Sequence, residues 1–404
     1  MNHASSSASP EALRARMADQ IVRAGRVQSG RIEAALREVP RHEFVPAANT
    51  EEAYADQAVI TKRASNGASL SCASVPSLVA AMLDQLDVQP GDRILEIGAG
   101  TGYNAALLAH LTGPAGQVTT LDIDTEITAQ ARQALEATGY RQVSVITRDG
   151  ALGAVEHAPY DRIIATAGAW DIPPAWREQL APGGRLAVPL RWRGQTRSIA
   201  FTPWHDWLRS DSVELCGFVP MIGQDGERTG PIDPGGHVAL HWDAGQPIDP
   251  GALAEILARE KTAAWSGVTV GVGESFDGVW LRLTAAEPGT CRIAADPAAV
   301  QTGLCTPAIP SRSPAIVHDG SLAYFTQRRL DPADGIGPRW ELGATGHGSA
   351  GPELADRLGQ QIRQWDADRT TQPVITACPA STPDDQLPSG ATIDKVHTRL
   401  VISW

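Results

Sequence analysis

Three glycines at alternate positions follow a short apolar run, and an acidic residue stands just before them. Gly98, Gly100 and Gly102 come after residues 93–97, and Glu96 precedes the first glycine by two positions. Glycines at such a place allow a tight turn and let a ligand approach the bare backbone. A dinucleotide site has its third glycine one residue later. The spacing here favours a ligand without a pyrophosphate, in which Glu96 can face a cationic amino group.

Two more acidic positions follow the next predicted strands. Asp122 lies 24 residues after Gly98, where a carboxylate can accept hydrogen bonds from ribose hydroxyl groups. Asp149, followed by Gly150, can offer its carboxylate to an adenine amino group. In the plainer interpretation, the glycines form only a turn and the aspartates are only solvated helix caps. Three such positions at the ends of successive strands argue against it. An amino group, a ribose and an adenine together predict S-adenosylmethionine as the cofactor.

These residues need a scaffold in which strands and helices alternate. Short apolar runs predict five strands with helices between them, over residues 93–97, 117–123, 143–147, 162–167 and 185–189. That alternation implies right-handed crossovers and a parallel sheet covered on both faces. The sequence therefore predicts a doubly wound α/β domain of the Rossmann-like kind. Upstream, the pattern predicts two short helices over 10–38, an irregular loop over 47–73 and a helix over 76–86.

The order of the motifs resembles that of the protein-L-isoaspartate O-methyltransferase family. The similar segments are RHEFVP (41–46), YAD (54–56), a Ser-x-Pro step (74–76), LEIGAGTGY (95–103), VTTLDID (118–124), RDG (148–150), PYDRII (159–164) and LAPGGRL (180–186). The match covers roughly residues 10–220, and the ordered set is much more specific than any single member. The resemblance implies a class I methyltransferase fold and S-adenosylmethionine held by Glu96, Gly98, Gly100, Gly102, Tyr103, Asp122, Asp149, Gly150 and Thr166.

A serine before a proline is the candidate catalytic residue. In the family that this chain resembles, a Ser or Thr at such a place lies between the cofactor and the substrate carboxylate. The matching residue is Ser74, with Ser71 as the alternative, and Ser74 could also cap the helix that begins at Pro76. A carboxylate with a pKa near ~4 is already ionised at neutral pH, so no general base is required. His42 is therefore predicted to be structural, and Cys72 a small buried thiol.

Beyond residue 225 the composition changes. A polar Gly/Pro loop at 224–236 predicts a boundary between a methyltransferase domain (10–225), preceded by a disordered tail (1–9), and a smaller α+β accessory domain (226–404) for substrate recognition. Strands are predicted there over residues 237–242, 267–272, 279–283, 315–317, 322–325 and 397–404. Helices are predicted over residues 251–261 and 352–368.

The added length bears on the substrate. The extended form resembles a subgroup of bacterial methyltransferases encoded with ribosomally made peptides. That resemblance implies methylation of an ordinary Asp in a precursor peptide and formation of an aspartimide. Repair of isoaspartyl residues in proteins is the alternative, and a small-molecule acid as substrate is a third. A hypothesis of another class makes the C-terminal half a peptide-binding module attached to a weakly active methyltransferase domain.

Composition disfavours several other classes of function. The formal net charge is -12 and neither half carries a basic stripe, which argues against nucleic acid and anionic membranes as partners. The five cysteines are scattered without a C-x-x-C pair, which argues against a metal site and a disulfide framework. No apolar stretch approaches the ~18–20 residues of a spanning helix, and the polar start shows no signal peptide. The sequence predicts a cytoplasmic protein and leaves its oligomeric state open.

Overall fold

The computed structural model describes residues 8–65, 67–330 and 337–404. Most of the predicted disordered tail, residues 1–7, lies outside the described residues. Ser9 is ordered: its hydroxyl accepts a hydrogen bond from the backbone N–H of Ala12 (3.3 Å) and caps the first helix. The tail predicted over residues 1–9 is therefore too long at its C-terminal end.

The described residues form ten α-helices and nineteen strands. The helices are α1 (Pro10–Arg23), α2 (Gly30–Glu38), α3 (Thr50–Tyr54), α4 (Pro76–Leu86), α5 (Tyr103–Thr112), α6 (Thr125–Ala137), α7 (Pro174–Gln179), α8 (Asp277–Ala286), α9 (Pro297–Gln301) and α10 (Gly351–Ala367). The strands are β1 (Val59–Arg63), β2 (Ser69–Ala73), β3 (Arg93–Ile97), β4 (Gln117–Asp122), β5 (Ser144–Thr147), β6 (Tyr160–Ala165), β7 (Leu180–Trp192), β8 (Gln195–Trp204), β9 (Trp207–Leu215), β10 (Glu227–Pro231), β11 (Val238–Asp243), β12 (Lys261–Gly271), β13 (Thr290–Ala295), β14 (Ser313–His318), β15 (Ser321–Leu330), β16 (Arg339–His347), β17 (Val374–Pro379), β18 (Ala391–Asp394) and β19 (Thr398–Ser403).

A parallel sheet forms the part of the fold that positions the predicted site. Strands β7, β6, β3, β4 and β5 lie side by side in that order and pair in parallel. Four of the five residues of β3 are buried, as expected for a strand covered on both faces. The doubly wound α/β fold is confirmed, and its five predicted strands lie where the apolar runs placed them.

The segment before this sheet is more regular than the sequence indicated. The predicted irregular loop over 47–73 contains α3 and an antiparallel hairpin of β1 and β2. Asn49 and Glu52 form a reciprocal capping box at the start of α3, which explains why so short a helix is stable. The prediction of an irregular loop is wrong, and the hairpin leads directly into α4.

A second sheet is entirely antiparallel and has seven strands in the order β10-β11-β13-β14-β15-β16-β12. Helix α10 packs against β12, β15 and β16. Its buried residues Leu354, Leu358, Ile362 and Trp365 recur at helical spacing and form one apolar face. The predicted helix at 352–368 and the strands near 237–242, 267–272, 315–317 and 322–325 are confirmed.

Two predictions in this region are wrong. Residues 279–283, predicted as a strand, belong to helix α8, because a short apolar run such as VWLRL does not distinguish the two structures. Residues 251–261, predicted as a helix, form two 3₁₀ turns before β12 begins at Lys261. Leu253, Ile256 and Leu257 are buried at a spacing that a 3₁₀ turn also satisfies.

The C-terminal strands return to the first sheet. Beyond β7, this sheet continues through the antiparallel strands β8 and β9, and β17 pairs with β9 through Thr376 opposite Arg209. Strands β19 and β18 follow at its edge. The boundary predicted near residue 226 therefore does not separate the two sheets, because residues 374–403 complete the first one. None of the described helices is both long and apolar enough to cross a membrane.

Candidate active site

A cleft of about 1030 Å³ lies where β3, β4, β5 and β6 end. The structure brings together at its walls nearly all the predicted site residues: Ser74, Glu96, Gly98, Gly100, Tyr103, Asp122, Asp149, Gly150 and Thr166. This convergence is what an open α/β sheet produces at the carboxyl ends of its strands. The contact of each residue with a ligand stays a prediction.

Gly102 does not line this cleft. It has a left-handed φ of 85°, and a Cβ at this position would lie 3.2 Å from the Ala131 carbonyl oxygen and 3.3 Å from Leu135 Cγ. Both of these residues belong to α6. The structure therefore gives Gly102 a packing role, in which its missing side chain lets α5 begin close to α6, rather than the predicted role at the ligand.

Gly98 and Thr166 hold the glycine turn in shape. Gly98 has a φ of 101°, and a Cβ there would lie only 2.5 Å from the Thr166 hydroxyl. That hydroxyl donates to the Gly98 carbonyl at 2.6 Å. Because the single hydroxyl hydrogen of Thr166 is engaged in this way, its contribution in the structure is to fix the turn.

Glu96 is a fully buried carboxylate at the end of β3. It accepts hydrogen bonds from Asn104 Nδ2 (2.8 Å) and Thr120 Oγ1 (2.5 Å). Burial raises the pKa of Glu96 to about 7, and the nearby Asp122 adds to this rise. No Lys, Arg or His of the described segments forms an ion pair with it. A cationic ligand group would therefore favour its ionised form.

Asp122 and Asp149 lie at the ends of the next two strands. One Asp122 oxygen accepts from the backbone N–H of Gly100 (3.2 Å), and the other accepts from that of Asp124 (3.1 Å). Burial raises the pKa of Asp122. Asp149 Oδ1 accepts from the N–H of Ala151 (2.9 Å), which turns the chain into the cleft at Gly150. Both carboxylates are thus oriented by backbone donors.

Ser74 and Ser71 also line the cleft, where β2 leads into α4. Ser71 accepts a hydrogen bond from Thr61 Oγ1 (3.2 Å) within the β1–β2 hairpin. The cap of α4 is provided by Asp56, whose Oδ1 accepts from the N–H of Ser77 at 2.9 Å. The alternative role of Ser74 as the helix cap is therefore wrong. Ser74 lines the cleft, and its side chain forms a hydrogen bond with that of Cys72.

Arg41 fixes this part of the cleft wall and was not singled out by the sequence reasoning. Its side chain is fully buried, and its guanidinium donates to the carbonyl oxygens of Ala53 (2.8 Å), Ala73 (3.2 Å) and Ser74 (2.7 Å). It also lies over the ring of Tyr103, 5.0 Å from the centroid. The segment RHEFVP contained this residue, but only as part of a family signature.

Two neighbouring residues were predicted to be non-catalytic, and Cys72 is only partly buried rather than buried as predicted. His42 Nδ1 lies 2.8 Å from the Tyr54 hydroxyl, and His42 does not line the cleft. Cys72 does line it, but burial raises the pKa of its thiol, and a hydrogen bond with Ser74 offsets only part of this rise. A thiolate nucleophile is therefore disfavoured at neutral pH.

A third wall of the cleft was also not predicted from the sequence. The segment 218–222, which follows β9, lines the cleft. Gly168, two residues after Thr166, donates its N–H to the Val219 carbonyl (2.8 Å), and the Met221 N–H donates to the Gly168 carbonyl (3.0 Å). These bonds tie the wall to the end of β6. The apolar run Phe218-Val219-Pro220-Met221-Ile222 was the only signal that the sequence offered.

The sequence profile of the family described as "Protein-L-isoaspartate(D-aspartate) O-methyltransferase (PCMT)" matches residues 13–226, just over half of the chain. The chain belongs to this family. It is an S-adenosylmethionine-dependent methyltransferase.

Relatives and solved structures agree with this assignment. A protein-L-isoaspartate O-methyltransferase of Methanopyrus kandleri is 39% identical over 215 residues, which are 53% of this chain and 92% of that protein. One from Aeropyrum pernix is 40% identical over 218 residues, 53% of this chain and 81% of that protein. A solved protein-L-isoaspartate O-methyltransferase structure matches with a TM-score of 0.50 and 20% identity. The match covers 90% of this chain and 96% of the solved chain. At this identity the similarity shows the fold alone.

The residues of the cleft fit the cofactor that this methyltransferase family uses. Glu96 is a buried carboxylate without a cationic partner in the described chain, which suits the amino group of a methionyl moiety. Asp122, held by two backbone donors, suits the ribose hydroxyls, and Asp149 suits the adenine amino group. We therefore infer that these three residues hold S-adenosylmethionine.

Replacing Glu96 with Gln tests this assignment through pH. In the wild-type methyltransferase we expect affinity for S-adenosylmethionine to rise with pH and to level off above about pH 7, where Glu96 is ionised. In Glu96→Gln the affinity should be weaker by roughly 1–3 kcal/mol above that pH and should lose this dependence. Isothermal titration calorimetry at a series of pH values below and above 7 measures both effects.

Stability of the cofactor-free protein gives an independent measurement. The pKa of Glu96 rises from 4.5 to about 7 on folding, so the fold favours its protonated form. The contribution of Glu96 to the free energy of unfolding is full below about pH 4.5 and is lost as pH rises through about 7. The loss amounts to about 3 kcal/mol. Glu96→Gln should remove this loss, and Glu136→Gln, at an exposed position on α6, should not. Equal pH profiles in all three proteins would refute the buried, titrating Glu96.

Proposed function

We propose that this enzyme transfers a methyl group from S-adenosylmethionine to the free carboxylate of L-isoaspartyl residues in proteins and peptides. The observation that carries the proposal is a cleft lined by both the glycine turn and the Ser74 segment. Glu96 and Asp122 lie beside the glycine turn, and the buried Arg41 fixes the Ser74 segment. Named isoaspartate methyltransferases of the same family, at 39% and 40% identity, support this substrate.

The reaction needs positioning more than it needs proton transfer. Bound S-adenosylmethionine supplies an electrophilic methyl group. The substrate carboxylate, with a pKa near ~4, is already ionised at neutral pH and only has to lose water and be aimed. In this proposal the Ser74 hydroxyl donates a hydrogen bond to one carboxylate oxygen, which leaves the other free to attack. Arg41 contributes indirectly, because its bond to the Ser74 carbonyl fixes the backbone from which this hydroxyl projects.

A second candidate is methylation of an ordinary Asp in a precursor peptide, followed by closure to an aspartimide. The original support for it was the chain beyond residue 225. The solved structure named as a protein-L-isoaspartate O-methyltransferase aligns with 90% of this chain. An extension of this kind is therefore also present in a protein of that name. What still favours the second candidate is a cavity between the two sheets, beyond the cleft, that could recognise more than one residue. A role of the C-terminal half as a mere binding module has no such support.

Matched peptides separate the two candidates. We expect a peptide with a single isoaspartyl residue to gain the mass of one methylene with S-adenosylmethionine, whereas the same peptide with Asp should stay unmodified. Mass spectrometry on both peptides, incubated side by side, measures this. Ser74→Ala should slow the reaction by roughly tenfold to a hundredfold, because a hydrogen bond to a charged group is lost.

The opposite result would favour the precursor hypothesis. Methylation of the Asp peptide, followed by loss of methanol, with no reaction of the isoaspartyl peptide, would overturn the repair proposal. Turnover of neither peptide, in a protein that still binds S-adenosylmethionine by calorimetry, would exclude both carboxylates as general substrates. Cytoplasmic location stays a prediction in each case.

A further inference from the structure

A second cavity lies beside the active-site cleft, between the two sheets. It holds about 640 Å³ and is walled by the β7–β8 turn, the segment after β9, and residues of β10, α8 and β13. The two sheets approach closely here: a Cβ at Gly194, which has a φ of 78°, would lie 2.4 Å from Arg292 Cβ. The cavity is therefore built by both halves of the chain and exists only when they pack together.

Its lining is strongly cationic. Three arginines, Arg191, Arg292 and Arg312, face one carboxylate, that of Glu227. Arg191 pairs with Glu227 at 2.8 Å, and Arg292 lies 3.8 Å from the same oxygen. Arg312 has no carboxylate within 4.0 Å among the described residues. An excess of positive charge in a chain whose formal net charge is -12 indicates a local function rather than a general surface property.

The arginines of the cavity also affect the neighbouring residue His241. His241 lies on β11, 3.9 Å from Glu227. Burial lowers the pKa of His241 to about 4, and Arg292 and Arg191 contribute to this shift. Burial also lowers the pKa of Arg292 itself. Both shifts arise mainly from burial, and the neighbouring arginines add to them.

The cavity adjoins the active-site cleft. Phe218 lines both the cavity and the cleft. The side chain of Arg191 passes close to Gly168, where a Cβ would lie 3.1 Å from Arg191 Cδ. Gly168 in turn holds the Val219 wall of the cleft through the hydrogen bond described above. An extended peptide whose acceptor residue lies in the cleft would pass Phe218 to reach the cavity.

We propose that this cavity binds the side-chain carboxylate of an Asp or Glu that lies near the methylated residue in the substrate peptide. This inference rests on the proposed function. Arginine guanidinium groups suit a carboxylate because they donate two parallel hydrogen bonds. Arg312 and Arg292 are the ligands, and Arg191, already paired with Glu227, sets the edge of the subsite. The enzyme thereby prefers acidic sequences around its acceptor.

A peptide series tests the subsite. Each peptide carries one isoaspartyl acceptor and one Glu, moved in turn through the positions on either side, and a matched peptide has Gln in place of that Glu. We expect kcat/KM for the Glu peptide to exceed that for its Gln partner by about tenfold at one or more positions, since charged hydrogen bonds are formed. In Arg312→Gln the ratio should fall to about one. Arg312 is exposed, so its replacement leaves the core intact.

Two variants make the result specific. Arg312→Glu should reverse the preference, so that a peptide with Lys at the sensitive position outcompetes one with Glu. Arg363→Gln, which removes an exposed arginine of α10 outside the cavity, should keep the wild-type ratio. Equal use of Glu and Gln peptides by the wild-type enzyme at every position would overturn the subsite and leave the methyltransferase proposal intact.

Measurements of peptide binding test the subsite independently of methyl transfer. Fluorescence anisotropy of labelled peptides, measured with S-adenosylhomocysteine present, reads affinity without turnover. If no isoaspartyl peptide is methylated, the proposed function fails, yet a preference for Glu over Gln that Arg312→Gln abolishes would still support an anion subsite. Equal binding of the two peptides would overturn it.

Discussion

Replacing Arg41 with Met should lower the free energy of unfolding by about 3–5 kcal/mol. The guanidinium is fully buried and satisfies three carbonyl oxygens, those of Ala53, Ala73 and Ser74. Met fills much of the same volume but donates no hydrogen bond. Each buried carbonyl left without a donor costs about 1–3 kcal/mol. Urea unfolding of the cofactor-free protein measures the change.

Two control variants identify the cause. Arg41→Lys should recover only part of the loss, because one ammonium group cannot reach carbonyls on both α3 and the β2–α4 segment as a planar fork does. Arg37→Met, four residues earlier on α2, breaks partly exposed ion pairs with Glu33 and Asp19 and should cost no more than about 1 kcal/mol. Equal losses in Arg41→Met and Arg37→Met would show that the buried fork is not what holds the Ser74 wall.

The glycine-turn side of the cleft could be predicted because its signals are local. Glu96, Asp122 and Asp149 each lie at or just beyond the carboxyl end of an apolar strand, and the parallel topology brings such positions together. Gly102 shows where this reasoning stops: its spacing fitted a ligand contact, but the neighbour it accommodates is α6, 29 residues further along at Ala131. Whether a glycine serves a ligand or a packed helix depends on the tertiary structure.

Arg41 and the C-terminal strands could not be predicted for a related reason. A charged residue is usually exposed, and only the carbonyls supplied by two later segments make burial of Arg41 favourable. Strand β17 pairs with β9 across 167 residues of sequence, as Thr376 does with Arg209. An alternating apolar pattern predicts that a strand exists, but it carries no information about such a distant partner.

Replacing Asp277 with Ala should destabilise the whole chain by about 3–5 kcal/mol, although Asp277 lies far from the cleft in sequence. Asp277 begins α8, and its carboxylate pairs with Arg197 of β8, whose side chain is only 1% exposed. Arg197 also donates to the Asp277 carbonyl (2.8 Å) and to Gln195 Oε1 (2.9 Å). Without the carboxylate, a buried guanidinium is left with no counter-charge. Denaturant unfolding monitored by tryptophan fluorescence measures the loss.

The same contact determines whether the two sheets unfold together. Arg197 and Asp277 join the first sheet to the α8 region, and Ile375, Ala377 and Leu400 of the C-terminal strands lie in the core of the first sheet. A defect in α8 should therefore weaken the cofactor cleft, and hydrogen exchange in Asp277→Ala should accelerate in β3 and β4 as well as in β15 and β16. The double variant Arg197→Met/Asp277→Leu should recover much of the stability, because it removes the buried charge together with its partner. Faster exchange confined to β15 and β16 would show that the second sheet unfolds independently of the first.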